Sequence, residues 1–211
     1  MPTEPRNKRV IAFFDGQNLF HSAQEAFGYT HPNFDPQLLA QSVCDSNSWQ
    51  LDRVYFYTGV PSASEDPIWQ DYWARRIVAM RNAGVYTFTR TLRYQNKIIK
   101  ISDGVDFETT IPVEKGIDVR IALDVVRLAL KKYYDLALIF SQDQDLSEAV
   151  KEIRQISSDQ NRWIGVASAF PVSPDSQNKR GIDKTHWRPI DRQTYDKCLD
   201  PRDYRAGRIR R

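Results

Sequence analysis

Four aspartates stand where acidic side chains could converge on one metal ion. Asp15 follows an apolar run in "FFDGQN", Asp143 and Asp145 follow another in "IFSQDQD", and Asp118 opens a helical pattern in "EKGID". Residues just past the carboxyl ends of parallel strands line the functional crevice of an α/β sheet. Carboxylates gathered there repel one another unless a cation is bound. The pattern therefore predicts a site for Mg²⁺ or Mn²⁺, which prefer oxygen ligands and can activate a water against a phosphodiester.

A structural role is the competing interpretation for three of these aspartates. Asp118, Asp143 and Asp145 each lie at the start of a helical pattern, where an aspartate commonly caps the helix N-terminus. Asp15 fits that role less well, because it follows a buried-looking strand and the glycine and asparagine after it predict a tight turn. Asp124 leaves two interpretations open. It lies in the middle of a helical pattern between two arginines. The pattern fits a solvated ion pair with them as well as it fits support of the metal site.

The elements that must position these side chains are short strands alternating with helices. Five apolar runs are rich in β-branched or aromatic residues and nearly continuous, as in strands covered on both faces. They cover residues 9–14, 53–58, 85–89, 136–140 and 163–167. Helical spacing lies between them, at residues 67–84, at about 118–133 and after residue 145. The alternation predicts an α/β fold, a three-layer sandwich around a central, mainly parallel sheet.

Two segments depart from this alternation. Residues 94–114 are expected to form a small inserted hairpin with Asp103-Gly104 as its turn. The domain is expected to span residues 8–167, and the polar, proline-containing residues 168–211 form a C-terminal extension. Four apolar side chains are expected to order part of that extension: Trp187, Ile190, Tyr195 and Leu199.

Length and composition exclude several classes of protein. The 211 residues, 41% of them hydrophobic, suit one domain with an appended segment. No window is apolar enough to cross a bilayer, and "MPTEPRNKRV" lacks the apolar core of a signal peptide, so a cytoplasmic protein with no membrane partner is expected. Cys44 and Cys198 have no paired spacing, which argues against a structural zinc site. The formal net charge of +3 permits an anionic partner without requiring one.

Three segments together resemble the NYN domain family, within the PIN-like and 5′-nuclease-like superfamily of metal-dependent nucleases. The segments are "FFDGQNL", "EKGIDVRIALDVVRLA" and "YDLALIFSQDQDLSEAVKEI", and the resemblance covers residues 8–167. It implies a PIN-like parallel α/β sheet and cleavage of RNA that depends on Mg²⁺ or Mn²⁺. The implied acidic metal site consists of Asp15, Asp118, Asp143 and Asp145, with Asn18 assisting and Asp124 as a further member.

The chain departs from the family pattern in one loop. Many members have Gly-Asp-Ser-Asp where this chain has Gln142-Asp143-Gln144-Asp145, which keeps both acids but adds larger side chains beside them. A phosphatase with an aspartyl-phosphate intermediate is a rival class, but it needs a second acid where this chain has Gln17. A catalytically silent RNA-binding or regulatory module on the same scaffold stays open as the alternative function.

Basic residues interleaved with aromatic ones predict the path of the RNA. Such residues contact phosphates and stack on unpaired bases. The predicted contacts are Arg75, Arg76, Arg81, Arg90, Arg93, Lys97 and Lys100, near Tyr86, Phe88 and Tyr94, with Arg205 and Arg208 in the tail. The competing interpretation is that these residues form an ordinary solvated face. For the tail, the competing interpretation is that its arginines aid solubility or pair with acids of a partner subunit. RNA is the expected partner, and a homodimer is left open.

Overall fold

A parallel sheet of six strands forms the centre of the molecule. The computed structural model describes residues 2–100 and 106–205. The strands in this part of the chain are β1 (Arg9–Asp15), β2 (Gln50–Val60), β3 (Tyr86–Thr91), β4 (Arg93–Lys100), β5 (Asp106–Val113), β6 (Leu136–Phe140), β7 (Gly165–Pro171) and β8 (His186–Ile190). The central sheet has the order β3-β2-β1-β6-β7-β8, and each neighbouring pair is parallel.

Helices cover both faces of this sheet. They are α1 (Gly16–Phe27), α2 (Pro36–Asp45), α3 (Pro67–Asn82), α4 (Ile117–Leu130), α5 (Ser147–Asp159) and α6 (Arg192–Asp196). Alternate residues of β1 point to opposite faces. Phe14 packs with apolar residues of α1, α2 and α3, whereas Phe13 packs with those of α4 and α5. This arrangement confirms the predicted three-layer α/β sandwich.

Helix α1 begins where the sequence indicates a tight turn. Asp15 has extended backbone angles, and its side chain accepts a hydrogen bond from the backbone N–H of Asn18, so it caps the helix that starts at Gly16. The helix ends at Gly28, whose φ of 77° lies in the left-handed region that favours glycine. The tight turn expected after Asp15 is thus the start of a helix, and Asp15 has the capping role that fits it less well from the sequence alone.

The predicted hairpin is confirmed as a separate two-stranded sheet. Strands β4 and β5 pair antiparallel, with Tyr94 opposite Pro112. Several predictions lie outside the described residues: the Asp103-Gly104 turn, the side chain of Lys100 and the tail contact Arg208.

Part of the C-terminal extension belongs to the central sheet. Strand β7 crosses the predicted boundary at residue 167, and β8 pairs with it along its outer edge. Ile190 and Tyr195 are buried in the core beside α1 and α2. Among the described residues, no helix is both long and apolar enough to span a bilayer.

Candidate active site

The acidic residues gather at the point where the chain order of the sheet reverses. From β1 the chain proceeds outward through β2 and β3, and from β6 it proceeds outward in the other direction through β7 and β8. A crevice forms at the carboxyl ends of the strands on either side of such a point. Phe14 of β1 and Phe140, the last residue of β6, are register partners, and their rings stack with centroids 3.9 Å apart. Asp15 and Ser141 therefore follow side by side.

A cavity of about 420 Å³ opens at this edge of the sheet. Four carboxylates line it: Asp15 from the end of β1, Asp118 from the first turn of α4, Asp143 from the loop after β6, and Glu114 from the segment between β5 and α4. The structure thus brings together three of the four predicted acids and adds one that the sequence analysis did not predict. Glu114 had a weak signal, since it lies in the same "EKGID" motif as Asp118.

Asp15 is the most enclosed of these acids, with 5% of its surface exposed. One carboxylate oxygen accepts from the Asn18 N–H at 3.2 Å, and the other accepts from the Ser141 hydroxyl at 3.3 Å. Burial raises the pKa of Asp15 to about 6, the two hydrogen bonds oppose that rise, and the charges of Asp143 and Asp118 add to it. The folded protein therefore holds this carboxylate in an environment that disfavours its negative charge.

Glu114 lines the same cavity and is in a similar environment. Burial and then the charge of Asp15 raise its pKa to about 7, while a hydrogen bond from the Gly59 N–H opposes the rise. Gly59 has no room for a side chain, because a Cβ atom there would collide with Leu92 and with Glu114. A glycine at the carboxyl end of β2 thus lets the Glu114 carboxylate approach the sheet.

The donor set fits a hard divalent cation. Carboxylates are the ligands that such a cation prefers, and four of them line the cavity. The pKa values of two of them are raised, and a nearby positive charge would lower those values again. In the described part of the chain, no three side chains of His, Cys, Asp or Glu are close enough together to hold an ion as they stand. Binding therefore requires side-chain movement or bridging water, and Mg²⁺ commonly keeps several waters.

Two further predicted residues flank the cavity. Asn18 links its two sides, since its backbone N–H binds Asp15 and its side-chain oxygen accepts from the Gln142 N–H at 2.9 Å. Asp145 is exposed and does not line the cavity. Its backbone N–H donates to the Asp143 carboxylate at 3.0 Å, so Asp143 also caps the short 3₁₀ turn that precedes α5.

Asp124 is not among the acids of the cavity. It is 4% exposed and accepts hydrogen bonds from the Tyr57 hydroxyl at 3.0 Å and from Arg120 and Arg127 at 2.8 Å each. Both carboxylate oxygens are therefore occupied by protein donors. Of the two interpretations left open for Asp124, the structure shows the ion pair, here buried, and its place as a further member of the metal site is corrected. Asp124 is the buried centre of an ion-pair network that fixes α4 to β2.

The expectation that Arg76 contacts RNA is wrong. Its side chain is 1% exposed and donates to the backbone carbonyls of Pro32 and Phe34 and to the Tyr72 hydroxyl. Its guanidinium also lies 5.0 Å from the centre of the Phe34 ring. An arginine on the inward face of α3 cannot reach a phosphate, and here it ties that helix to the segment between α1 and α2.

The other predicted basic residues that the structure describes are exposed or half-buried, and Arg90 contacts the edge of the acidic cavity. It donates to the carbonyl of Lys115, a residue that lines the cavity. Arg75 and Arg205 pair with the neighbouring Asp71 and Asp203. Arg81 donates to the Thr87 hydroxyl, whereas Arg93 and Lys97 are exposed on β4.

The two glutamines of the acidic loop bind the C-terminal extension. The Gln142 side chain donates to the carbonyls of Asn178 and Arg180 at 3.2 and 2.9 Å. The Gln144 side chain donates to the Gly181 carbonyl at 3.0 Å and accepts from the Asp183 N–H at 3.0 Å. The extension is thus attached directly to the loop that carries Asp143.

Comparison with known proteins identifies the family. The sequence model of the NYN domain family matches residues 9–158. A search of curated proteins returned no match. Among solved structures, ribokinase from Giardia lamblia aligns with a TM-score of 0.35 and 12% identity. The alignment covers 83% of this chain and 51% of the ribokinase, so this chain spans about half the length of the ribokinase. A deacetylase–teicoplanin complex from the teicoplanin biosynthesis pathway aligns with a TM-score of 0.30 and 15% identity, over 75% and 68%.

Proposed function

The chain belongs to the NYN domain family, and from that membership we propose that it is a ribonuclease that depends on Mg²⁺ or Mn²⁺ and cuts within RNA chains. The family is nuclease-like, which supports hydrolysis of a phosphodiester bond. The observation that carries the proposal is the cavity at the switch point of the sheet, which four carboxylates line together.

The four acids of the cavity and Asn18 each have a definite part in this proposal. Asp15, Asp118, Asp143 and Glu114 would hold the divalent ion, whose charge would lower the raised pKa values of Asp15 and Glu114. The bound ion supplies an activated water and a counter-charge for the phosphodiester. Asn18 keeps Asp15 and the acidic loop in register through its two hydrogen bonds.

Two basic residues beside the cavity can orient the substrate. Lys115 is exposed and lines the cavity, and the Arg90 side chain lies against the same turn of the backbone. Their charges can bind the phosphates that flank the scissile bond. The thiols are unsuited to nucleophilic attack, since Cys44 and Cys198 are both buried and burial raises the pKa of Cys44 to about 12.

A catalytically silent RNA-binding module is the second candidate. The spacing of the acids favours it, because within the described ranges no three such side chains are poised to hold an ion without rearrangement. The two candidates differ in one measurable property. A nuclease cuts RNA only with the metal present, whereas a silent module binds RNA and leaves it intact.

The decisive experiment follows cleavage of a labelled RNA pool while Mg²⁺ or Mn²⁺ is titrated, with a chelator as the blank. Asp15→Asn and Asp143→Asn should each abolish cleavage, while the exposed Asp175→Asn should cut like the parent. Binding without cleavage by the parent would establish the silent module. Unchanged cleavage by both cavity variants would exclude the proposed site.

A further inference from the structure

A second cavity, of about 380 Å³, lies next to the acidic one and is lined by aromatic rings. It is bounded by α1, by the first turns of α3 and by the hairpin of β4 and β5. Phe20, Trp69 and Tyr94 are half-buried on its walls, and Trp73, which is 4% exposed, lies beneath them. We refer to this cavity as the aromatic groove.

The aromatic groove and the acidic cavity share a wall. Gly59 would collide, if it had a Cβ atom, with Leu92 and with Glu114, so these two side chains meet over it. Leu92 lines the groove, and Glu114 lines the acidic cavity. Gln17 of the groove is also only two residues from Asp15. A strand whose phosphate occupies the acidic cavity therefore has an adjacent nucleotide at the mouth of the groove.

The charge of the groove matches a neutral base better than a phosphate. Its described lining residues include the acids Glu65 and Asp66 and contain no lysine or arginine. One carboxylate oxygen of Asp66 already has a partner, because it caps α3 by accepting a hydrogen bond from the Trp69 N–H at 3.1 Å. Phosphates would be repelled here, whereas an uncharged ring can stack on the aromatic faces.

Polar groups around the rim complete a site for a ring with a hydrogen-bonding edge. Gln17, Thr30 and Thr110 line the groove and offer side-chain donors and acceptors. Alternation along β4 turns Arg93 and Lys97 away from the face that carries Tyr94. Basic side chains therefore lie beside the groove and not within it. There they could contact the phosphates that follow an inserted base.

We propose that the aromatic groove binds one unpaired base of the RNA strand whose phosphodiester lies in the acidic cavity. This inference rests on the proposed function, since it takes RNA as the substrate. It makes single-stranded RNA the substrate class, because a base held in a duplex cannot enter a groove between a helix and a hairpin.

The test measures binding in the cleavage-deficient Asp15→Asn protein, so that it does not depend on catalysis. The probes are a single-stranded RNA oligonucleotide and a set in which one base at a time is removed, leaving the sugar and phosphate. We expect removal at one position, or at two adjacent ones, to weaken binding about 5- to 150-fold, the range of one base stacked on aromatic side chains. Other positions should change it little.

Two variants locate the effect in the groove. Trp69→Ala and Tyr94→Ala should each weaken binding of the intact strand and remove the dependence on the missing base. Tyr94 lies on the inserted hairpin, so its variant remains informative if Trp69→Ala fails to fold. Tyr133→Ala is the matched control, because this exposed tyrosine follows α4 and does not line the groove.

The possible results separate this inference from the proposed function. Equal weakening at every abasic position, or unchanged position dependence in both groove variants, would overturn the base site even if the parent cleaves RNA. Dependence on one position that disappears in the groove variants would support it even if the parent protein cuts nothing. Equal affinity for a duplex of the same sequence would also overturn it.

Discussion

Replacing Asp15 by asparagine should stabilise the metal-free protein. Asparagine keeps the shape of the side chain and the oxygen that caps α1, but it removes a charge that the folded state disfavours. The pKa of Asp15 rises from 3.8 to about 6, and one pKa unit corresponds to about 1.4 kcal/mol, so the rise corresponds to about 3 kcal/mol. Water entry and movement of nearby acids relax part of that cost. We expect a gain of about 1–3 kcal/mol in the free energy of unfolding.

The pH dependence has a definite sign. The folded-state pKa of Asp15 is raised, so the stability that its neutral carboxyl contributes is complete below pH 3.8 and is lost as the pH rises through about 6. Asparagine is neutral throughout. The difference between variant and parent should therefore be near zero at low pH, develop between these two values and stay constant above them.

The assay is urea denaturation with a chelator present, at about pH 7.5 and at about pH 4.5. The matched control is Asp175→Asn, an exposed aspartate outside the cavity, which should leave the unfolding midpoint unchanged at both pH values. Mn²⁺ should then raise the melting temperature of the parent and of the control by mass action, and should have little effect on Asp15→Asn. The same substitution thus stabilises the protein and removes its metal response.

One result would refute this reasoning. If Asp15→Asn is less stable than the parent at both pH values, the carboxylate contributes more through its hydrogen bonds to Asn18 and Ser141 than burial costs it. The site would then be a structural cap, and the repulsion among the acids would not argue for a cation.

Three further predictions test other parts of the structure. Arg76→Met should lower the free energy of unfolding by about 2–4 kcal/mol, because buried carbonyls lose their donors. Arg75→Met, on the exposed face of the same helix, should change it by less than about 1 kcal/mol. Urea denaturation measures both. Gln144→Ala should reduce the rise in melting temperature that Mn²⁺ produces, and Gln155→Ala, on the surface of α5, should not. Asp124→Asn should lower stability yet leave the Mn²⁺ response intact, which would be contradicted by a loss of that response.

The sequence predicts the frame of the site because its strands are buried on both faces. The continuous apolar runs could pack only inside a layered sheet, and the acids that follow β1 and β6 were therefore expected at one edge. Helix α1 could not be predicted as readily, since "DGQN" is also typical of a turn and only the cap at Asp15 shows that a helix begins there.

For two charged residues the sequence pattern gave only a weak signal, because their roles depend on distant contacts. Arg76 shares the helical spacing of the buried Tyr72 and Trp73, but that spacing does not show that the carbonyls of the segment after α1 accept its hydrogen bonds. Glu114 follows a hairpin whose path no periodicity defines, and it enters the site because Gly59 leaves space for it. In both cases a long-range contact decides the function of a charged side chain.

The unusual glutamines of the acidic loop have a physical explanation in the extension. A glycine or a serine, as in Gly-Asp-Ser-Asp, has no amide that could reach the backbone carbonyls of residues 178–181, whereas Gln142 and Gln144 bridge that distance and are themselves held at Ser22 and Asp183. The family match ends at residue 158, before this segment begins. Loop and extension therefore form one unit. The glutamines do not simply crowd the acids: they fix the position of Asp143 through a part of the chain that lies outside the matched region.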